Sequence, residues 1–330
     1  MRYSTAVLGL IAAMSFTDMA QAEWKPAQDL EFVAGAGPGG GTDLFARTIQ
    51  SIIQKYDLAD VDIVVTNKPA GAGSEAFMYG VTGGKDPHKL LFGNNNAWLL
   101  PMKAKVGYSM DDLTPVASMA KDGFLLWTNK DRPYETYQDV VNAAKDPSTP
   151  LKSGGTQSKD GDEILVRMIA NEAGGNFIYI PFKSGSEAAV QLAGGHIDIN
   201  TNNPSENVGQ WAGGAVRPIC IFAAAKLEDN EKVYDGLGFG DIPTCASQGS
   251  KIQSYEIPRT IFSAAKLTED QQAYFHDLLS KVREKPEWQA YLKKTMQGDL
   301  FLQGPELQTY IDQDSAAAKA VFEREGWLVK

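Results

Sequence analysis

Residues 35–43 (GAGPGGGTD) place five glycines between an apolar run and the start of a helical pattern. Glycine lets a backbone come close to a ligand. Free N–H groups at a helix start, with the helix dipole behind them, favour an anion there by ~0.3–2 kcal/mol, depending on burial. The anion is a phosphate or a carboxylate, and a turn that merely joins strand to helix is the plainer reading. The segment matches G-x-G-x-x-G, yet the acid that a dinucleotide ribose needs near the end of the second strand is missing. Asp60 and Asp62 stand at the start of that strand and Asn67 and Lys68 at its end, which weighs against a dinucleotide.

The same device recurs at 154–161 (GGTQSKDG), before a helix with Asp162 and Glu163 in its first turn, where N–H groups and the hydroxyls of Thr156 and Ser158, on either side of Gln157, suit an anion. Two such ends facing one cleft suit a two-ended acid. A third polar turn, 181–186 (PFKSGS), adds Ser184 and Lys183, the latter either a positive partner or a solvated surface lysine. Asn94, Asn95 and Asn96, and Asn202 and Asn203, follow apolar strands, where ligands of open α/β sheets bind. The candidate binding residues are Gly39, Gly40, Gly41, Thr42, Asp43, Asn95, Thr156, Gln157, Ser158, Lys183, Ser184 and Asn203. Asp43 would repel a carboxylate ligand, so it is expected to cap its own helix turn and leave the N–H groups of Gly40, Gly41 and Thr42 free. Arg47 is either an ion-pair partner or a ligand contact. Trp98, Trp127 and Tyr79 either wall the ligand site or belong to the core.

Catalytic signatures are missing. There is no G-x-S-x-G, GK[ST] or HExxH, and paired acids such as Asp111 and Asp112 sit at helix starts, where dipole compensation explains them. His88, His196 and His276 have no metal-ligand spacing with one another or with the cysteines. No metal, no cofactor and no enzymatic activity are expected; an exported dinucleotide-dependent enzyme is the weaker alternative.

The elements that must position these loops alternate. Strand patterns at 30–34, 61–66, 90–92 and 124–128 interleave with helical ones at 43–56 and 67–74, and the rhythm restarts with helices near 134–145, 162–172 and 187–193 between strands at 151–153, 177–180, 197–201 and 217–224. An apolar run at 260–264 precedes a helical tail, with a capping box at Thr268 and helix starts at Pro286 and Pro305. This predicts an α/β fold of two lobes, each a mostly parallel sheet flanked by helices, with the ligand cleft between them. The lobes are expected at 23–125 plus 227–330 and at 126–226. The length of 330 residues suits two domains, and the 31 basic against 41 acidic residues, a formal charge of −10 without a basic patch, argue against nucleic acid as a partner. Residues 1–22 read as a signal peptide, with a short basic start, an apolar stretch and an A-x-A site ending at Ala22, so the expected location is the bacterial periplasm. Export makes a disulfide between Cys220 and Cys245 the leading reading over two separate buried thiols, worth roughly 3–4 kcal/mol in the chain-entropy model.

Segments 39–47 (GGGTDLFAR), 67–73 (NKPAGAG), 181–185 (PFKSG) with 192–198 (LAGGHID), and 217–222 (RPICIF) resemble the extracytoplasmic solute receptors of tripartite tricarboxylate transporters, and the resemblance spans essentially the whole mature chain. It implies a type II periplasmic-binding-protein fold that closes on a small carboxylate, a di- or tricarboxylate or an aromatic acid. Backbone N–H groups, small polar side chains and bridging waters would hold the ligand. It also implies delivery, by a monomer, to a membrane permease of a large and a small transmembrane subunit; a sensor subunit for a kinase is the alternative. Gly39, Gly40, Gly41, Thr42 and Asp43 match the family's first loop, Thr156 and Ser158 the second, and Lys183 and Ser184 the third. Where many members carry Gly-Ser-x-x-His-Leu, this chain has 157–163 (QSKDGDE), so the added acids favour a ligand whose far end is neutral or basic, unless Lys159 supplies the missing charge.

Overall fold

The computed structural model describes residues 24–329; the expected signal peptide and its expected cleavage site after Ala22 lie outside the described residues. In chain order the elements are β1 (Leu30–Ala34), α1 (Gly41–Lys55), β2 (Ile63–Asn67), α2 (Ser74–Thr82), β3 (Lys89–Gly93), α3 (Asn96–Lys103) and β4 (Thr114–Gly123). Then come β5 (Leu125–Asn129), α4 (Tyr137–Ala144), β6 (Leu151–Thr156), α5 (Gly161–Ala173), β7 (Phe177–Phe182), α6 (Gly185–Ala193), β8 (Ile199–Asn202), α7 (Pro204–Ala212) and β9 (Val216–Ile221). The chain closes with β10 (Glu256–Ser263), α8 (Glu269–Arg283), α9 (Pro286–Thr295), β11 (Gly298–Gln303) and α10 (Gly304–Arg324).

Two sheets form, in the orders β11-β4-β10-β3-β1-β2 and β7-β6-β8-β5-β9. The parallel parts expected from the strand–helix rhythm are present as β2-β1-β3 and β7-β6-β8. Antiparallel strands complete each sheet: β10 and β11 against β4 and β10 against β3 in the first, and β5 against β8 and β9 in the second. Both sheets are therefore mixed. The antiparallel strands are the ones that carry the chain between sheets: β4 runs into β5 with only Phe124 between them, and the return passes from β9 to β10. At the crossing the Phe222 N–H donates to Phe124 O at 2.8 Å and the Tyr255 N–H to Phe222 O at 2.9 Å, which ties the two passages together.

The helices form where an apolar stripe meets a sheet. Phe45, Ala46, Ile49, Ile52 and Ile53 give α1 a buried face against Phe32, Phe92 and Trp288 under the first sheet. In the second half, α4 and α5 cover one face through Tyr137, Val140, Leu165 and Ile169, while Trp127, Leu192 and Trp211 fill the other. Cys220 of β9 and Cys245 are bridged, and the Cys245 N–H donates to Ile221 O at 2.8 Å, so the return segment is stapled to the second sheet before it reaches the first.

Several elements carried no clear sequence signal. Helix α3 includes Pro101, β4 carries Lys121 and Asp122 within an apolar run, β11 is short and half-buried with only Leu300, Phe301 and Leu302 apolar, and α7 begins at Pro204 inside an Asn-rich turn. Among the described residues no helix is long and apolar enough to cross a membrane, and no cluster of His, Cys, Asp or Glu could hold a metal ion.

Candidate functional site

A cleft of about 700 Å³ opens between the strand ends of the two sheets. Its floor on the first side is the loop from β1 to α1. Gly39 has a φ of 79°, a left-handed turn that suits glycine, and Gly40 is the residue before the helix, with no side chain capping that end; the Gly40 N–H, expected to be free, instead closes a turn onto Gly37 O at 3.0 Å, which leaves those of Gly41 and Thr42. The loop packs on its neighbour: a Cβ on Gly73 would stand 2.9 Å from Gly35 O, so the two glycine-rich segments 35–43 and 67–73 meet through backbone alone.

Asp43 holds this loop from inside. One carboxylate oxygen accepts the Gly39 N–H at 2.8 Å, and the other accepts Arg47 Nε at 2.9 Å and Asn67 Nδ2 at 2.8 Å. Burial would raise its pKa, but those donors outweigh it and hold the carboxyl below its usual value. Asp43 therefore fastens the preceding turn, and Arg47 is its ion-pair partner rather than part of the cleft lining.

The strongest charge at this end was not singled out from the sequence. Arg259 on β10 donates from Nη1 to Thr42 Oγ1 at 3.0 Å and pairs through Nη2 with Asp122 of β4 at 2.6 Å; Gln297 Nε2 donates to the other Asp122 oxygen at 2.6 Å. A register shift between Arg259 and Thr260 interrupts the β10–β4 ladder at this point, the kind of irregularity that re-aims a side chain. Gly41 must be small here, since a Cβ would lie 2.7 Å from Arg259 Nη2. Tyr291 of α9 also lines the cleft. It is only 7% exposed, and its hydroxyl makes no hydrogen bond. Burial pushes its pKa up to about 12, with Arg259 and Gln297 opposing and Asp122 adding. A single basic residue within an apolar strand was the available sequence signal for Arg259, and an acid within an apolar run the signal for Asp122.

Across the cleft the loops have the same form and a different filling. Thr156, Gln157, Lys183, Ser184 and Asn203 line it, as do Gly39, Gly40, Gly41 and Thr42 opposite. Yet the N–H groups of Thr156, Gln157, Lys183 and Asn203 are taken. Asp162 accepts the Thr156 N–H, Glu163 accepts the Lys159 N–H at 2.7 Å and the Ser158 hydroxyl at 3.0 Å, and Asp160 accepts the Gly161 N–H at 2.9 Å. Glu187 accepts the Lys183 N–H at 3.0 Å, Glu206 accepts the Asn203 N–H at 3.2 Å, and the Gln157 N–H goes to Phe182 O at 2.8 Å. These bonds hold a costly backbone, because Gln157 and Lys159 sit at φ 52° and 59°, where side-chain-bearing residues are uncommon.

Glu206, in the first turn of α7, lies against the start of α6, leaving no room for a Cβ on Gly185. Burial, with the charge of Asp122 added, pushes its carboxyl up to about 7, while the Asn203 N–H and Arg259 oppose. Burial and the charge of Glu206 likewise raise Asp162 well above the usual range.

Three expected residues lie elsewhere. Asn95 opens a separate cavity of about 220 Å³ behind the crossing strands, where its amide donates to Asp314 at 3.2 Å beside the Trp98 indole at 2.8 Å. Ser158 turns to Glu163, and Asp43 is sealed beneath its loop, whereas Asn94 and Asn96 do reach the cleft. Lys159 does not supply a charge to the cleft; its ammonium stands 5.9 Å from the Trp327 ring centroid. Trp98 and Trp127 are core residues and the Tyr79 hydroxyl meets Glu31, so none of the three walls the cleft.

The family described as "Tripartite tricarboxylate transporter family receptor" matches residues 45–327. Among curated proteins, a UPF0065 protein from the gbd 5' region of Cupriavidus necator is 24% identical over 327 residues, covering 98% of this chain and 94% of that one. Among solved structures, the periplasmic binding protein BugD superposes with a TM-score of 0.75 at 17% identity, covering 92% of this chain and 100% of that one. Rpa4515 of R. palustris, solved with adipate, has a TM-score of 0.75 at 18% identity, covering 91% and 98%.

Proposed function

The chain belongs to the tripartite tricarboxylate transporter receptor family, whose members are solute receptors rather than enzymes, and on that premise we propose that it captures a small carboxylate in the interlobe cleft. The observation that carries this reading is the start of α1, uncapped by any side chain, with Arg259 and the Thr42 hydroxyl beside it. Such an end presents converging N–H groups, the positive end of the helix dipole and a guanidinium to one carboxylate. The adipate found with Rpa4515 supports a carboxylate ligand here.

The lobes are taken as the two sheets with their helices. The passage at Phe124 supports the first boundary, expected at 125/126. For the second, expected at 226/227, the disulfide and the burial of Ile242 and Ile252 beside the second sheet favour a boundary nearer Tyr255. The receptor acts in the periplasm after cleavage behind Ala22 and passes its ligand, as a monomer, to a permease with a large and a small membrane subunit.

Gly41→Val tests the site. The added side chain displaces Arg259 and crowds the N–H groups, so affinity for any bound carboxylate measured by calorimetry should fall at least tenfold with an unchanged circular-dichroism spectrum. Unchanged affinity would place the ligand away from α1.

A further inference from the structure

We infer that the ligand carries a cationic nitrogen as well as its carboxylate, with the carboxylate at α1 beside Arg259 and the ammonium received by Glu206. This deepens the receptor reading and rests on it.

The cleft lining holds three acids, Asp122, Asp160 and Glu206, against two bases, Arg259 and the exposed Lys183. Arg259 is already shared with Asp122 at 2.6 Å, and Gln297 engages the other Asp122 oxygen, so the two charges of this pair cancel, while Arg259 keeps Nε unpaired. Glu206 differs. One of its oxygens accepts a single backbone N–H, that of Asn203, and no cation pairs with it. The side chains facing it are Asp162 from α5, Asp122 from β4 and Arg259 from β10, two acids and one committed base. A second ligand carboxylate would add a further anion to this group and would find the N–H groups of Thr156, Lys159, Gly161 and Lys183 already held by Asp162, Glu163, Asp160 and Glu187. An ammonium would instead complete Glu206.

The Tyr291 hydroxyl is a second open polar group in this part of the cleft. It is 7% exposed and lines the cavity with Arg259 and Gln297; neither it nor Gln297 Oε1 completes a hydrogen bond, although Gln297 stands near enough to lower its pKa. A buried hydroxyl is rarely left so, and Gln297 or a polar ligand atom is the partner it suits.

The raised pKa of Glu206 adds a pH signature. Burial and the charge of Asp122 push its carboxyl up to about 7, and Asp162 beside it is raised as well, so a rising pH favours the ionised form. An ammonium binds the ionised form, so affinity rises as pH climbs through that value and levels beyond it. A dicarboxylate follows the opposite trend.

The test compares matched sets on the mature protein by calorimetry: succinate, 4-aminobutanoate and butanoate; glutarate, 5-aminopentanoate and pentanoate; adipate, 6-aminohexanoate and hexanoate; and 2-amino acids with uncharged side chains against the same chains lacking nitrogen. In at least one set the amino member should bind tenfold or more tighter than its counterparts, and Glu206→Gln should bring that preference within threefold. The wild-type preference should also shrink as pH falls from 8 to 6, a readout that needs no variant. A dicarboxylate or plain acid that binds as tightly in every set overturns the inference and leaves the carboxylate receptor standing. A preference that survives Glu206→Gln overturns the assignment to Glu206. Failure of every acid to bind overturns both readings.

Discussion

On the first side of the cleft, the β1–α1 loop ends in a helix start that no side chain caps, with Arg259 donating to Thr42 beside it. On the second side, loops of similar shape after β6 and β7 have their N–H groups bonded to Asp162, Glu163 and Glu187, and Glu206 takes that of Asn203. The two sides share a fold element and differ in which anion fills it. In the proposed function the first receives an external carboxylate, and the second carries its own. A glycine-rich or hydroxyl-rich turn before a helix is therefore open to an external anion only where the helix's own acids leave N–H groups over: Asp43 takes that of Gly39, whereas Asp160, Asp162, Glu163 and Glu187 take those of Gly161, Thr156, Lys159 and Lys183.

The comparison breaks most visibly at Arg259. Arg259→Gln should weaken carboxylate binding at least 100-fold by calorimetry, because it removes a charge-assisted partner and leaves Asp122 buried without its cation. Retention of affinity within tenfold would mean that the two sides do not divide their roles in this way.

The second side also carries the staple. Replacing Cys220 and Cys245 together with serine should lower the melting temperature by roughly 5–10 °C, following a loss of roughly 3–4 kcal/mol of loop-closure stabilisation. Carboxylate affinity at 25 °C should stay within twofold, since neither cysteine lines the cleft. An affinity loss larger than that would show that the return segment shapes the first side as well.

A smaller effect sharpens the assignment of the second-side acids as structural. Glu163→Gln weakens the bonds to the Lys159 N–H and Ser158 and the ion pair with Arg167, for an expected loss of about 1–3 kcal/mol in denaturant unfolding, with affinity changed less than threefold. A variant that keeps its stability and binds a dicarboxylate more tightly would reassign Glu163 to ligand exclusion.

Much of this arrangement was legible in the sequence. The strand at 30–34 appears with the expected bounds, and the helices near 162–172 and 187–193 fall within two residues of theirs, because apolar periodicity and glycine-rich starts are local signals. Strands β4 and β11 were not, since their identity depends on pairing across long sequence separations, β4 with β10 and β11 with β4. The glycine-rich loops at 39–43 and 156–157 do meet at one cleft. What local reading could not give was the competition for their N–H groups. Asp162 and Glu163 fit dipole compensation at a helix start equally well, and only the three-dimensional bonds to Thr156, Ser158 and Lys159 show them as occupants of the turn. Asp43 illustrates the same point: it reaches back to Gly39 and sits under Arg47 and Asn67, a role that spacing alone does not distinguish from capping its own turn. Arg259 lies more than 200 residues from the loop it serves, and Glu206 acquires its character from burial beside Asp122 and Asp162.

The crystal structure of the mature protein with 4-aminobutanoate, or with the tightest acid of the matched sets, tests the division between the two sides most directly. The account predicts carboxylate oxygens at roughly 2.7–3.1 Å from the N–H groups at the start of α1 and from the Arg259 guanidinium, with the far end of the ligand toward Glu206. A carboxylate seated instead at Thr156, Ser184 and Ser186, with Glu206 or Asp162 displaced to admit it, would contradict it.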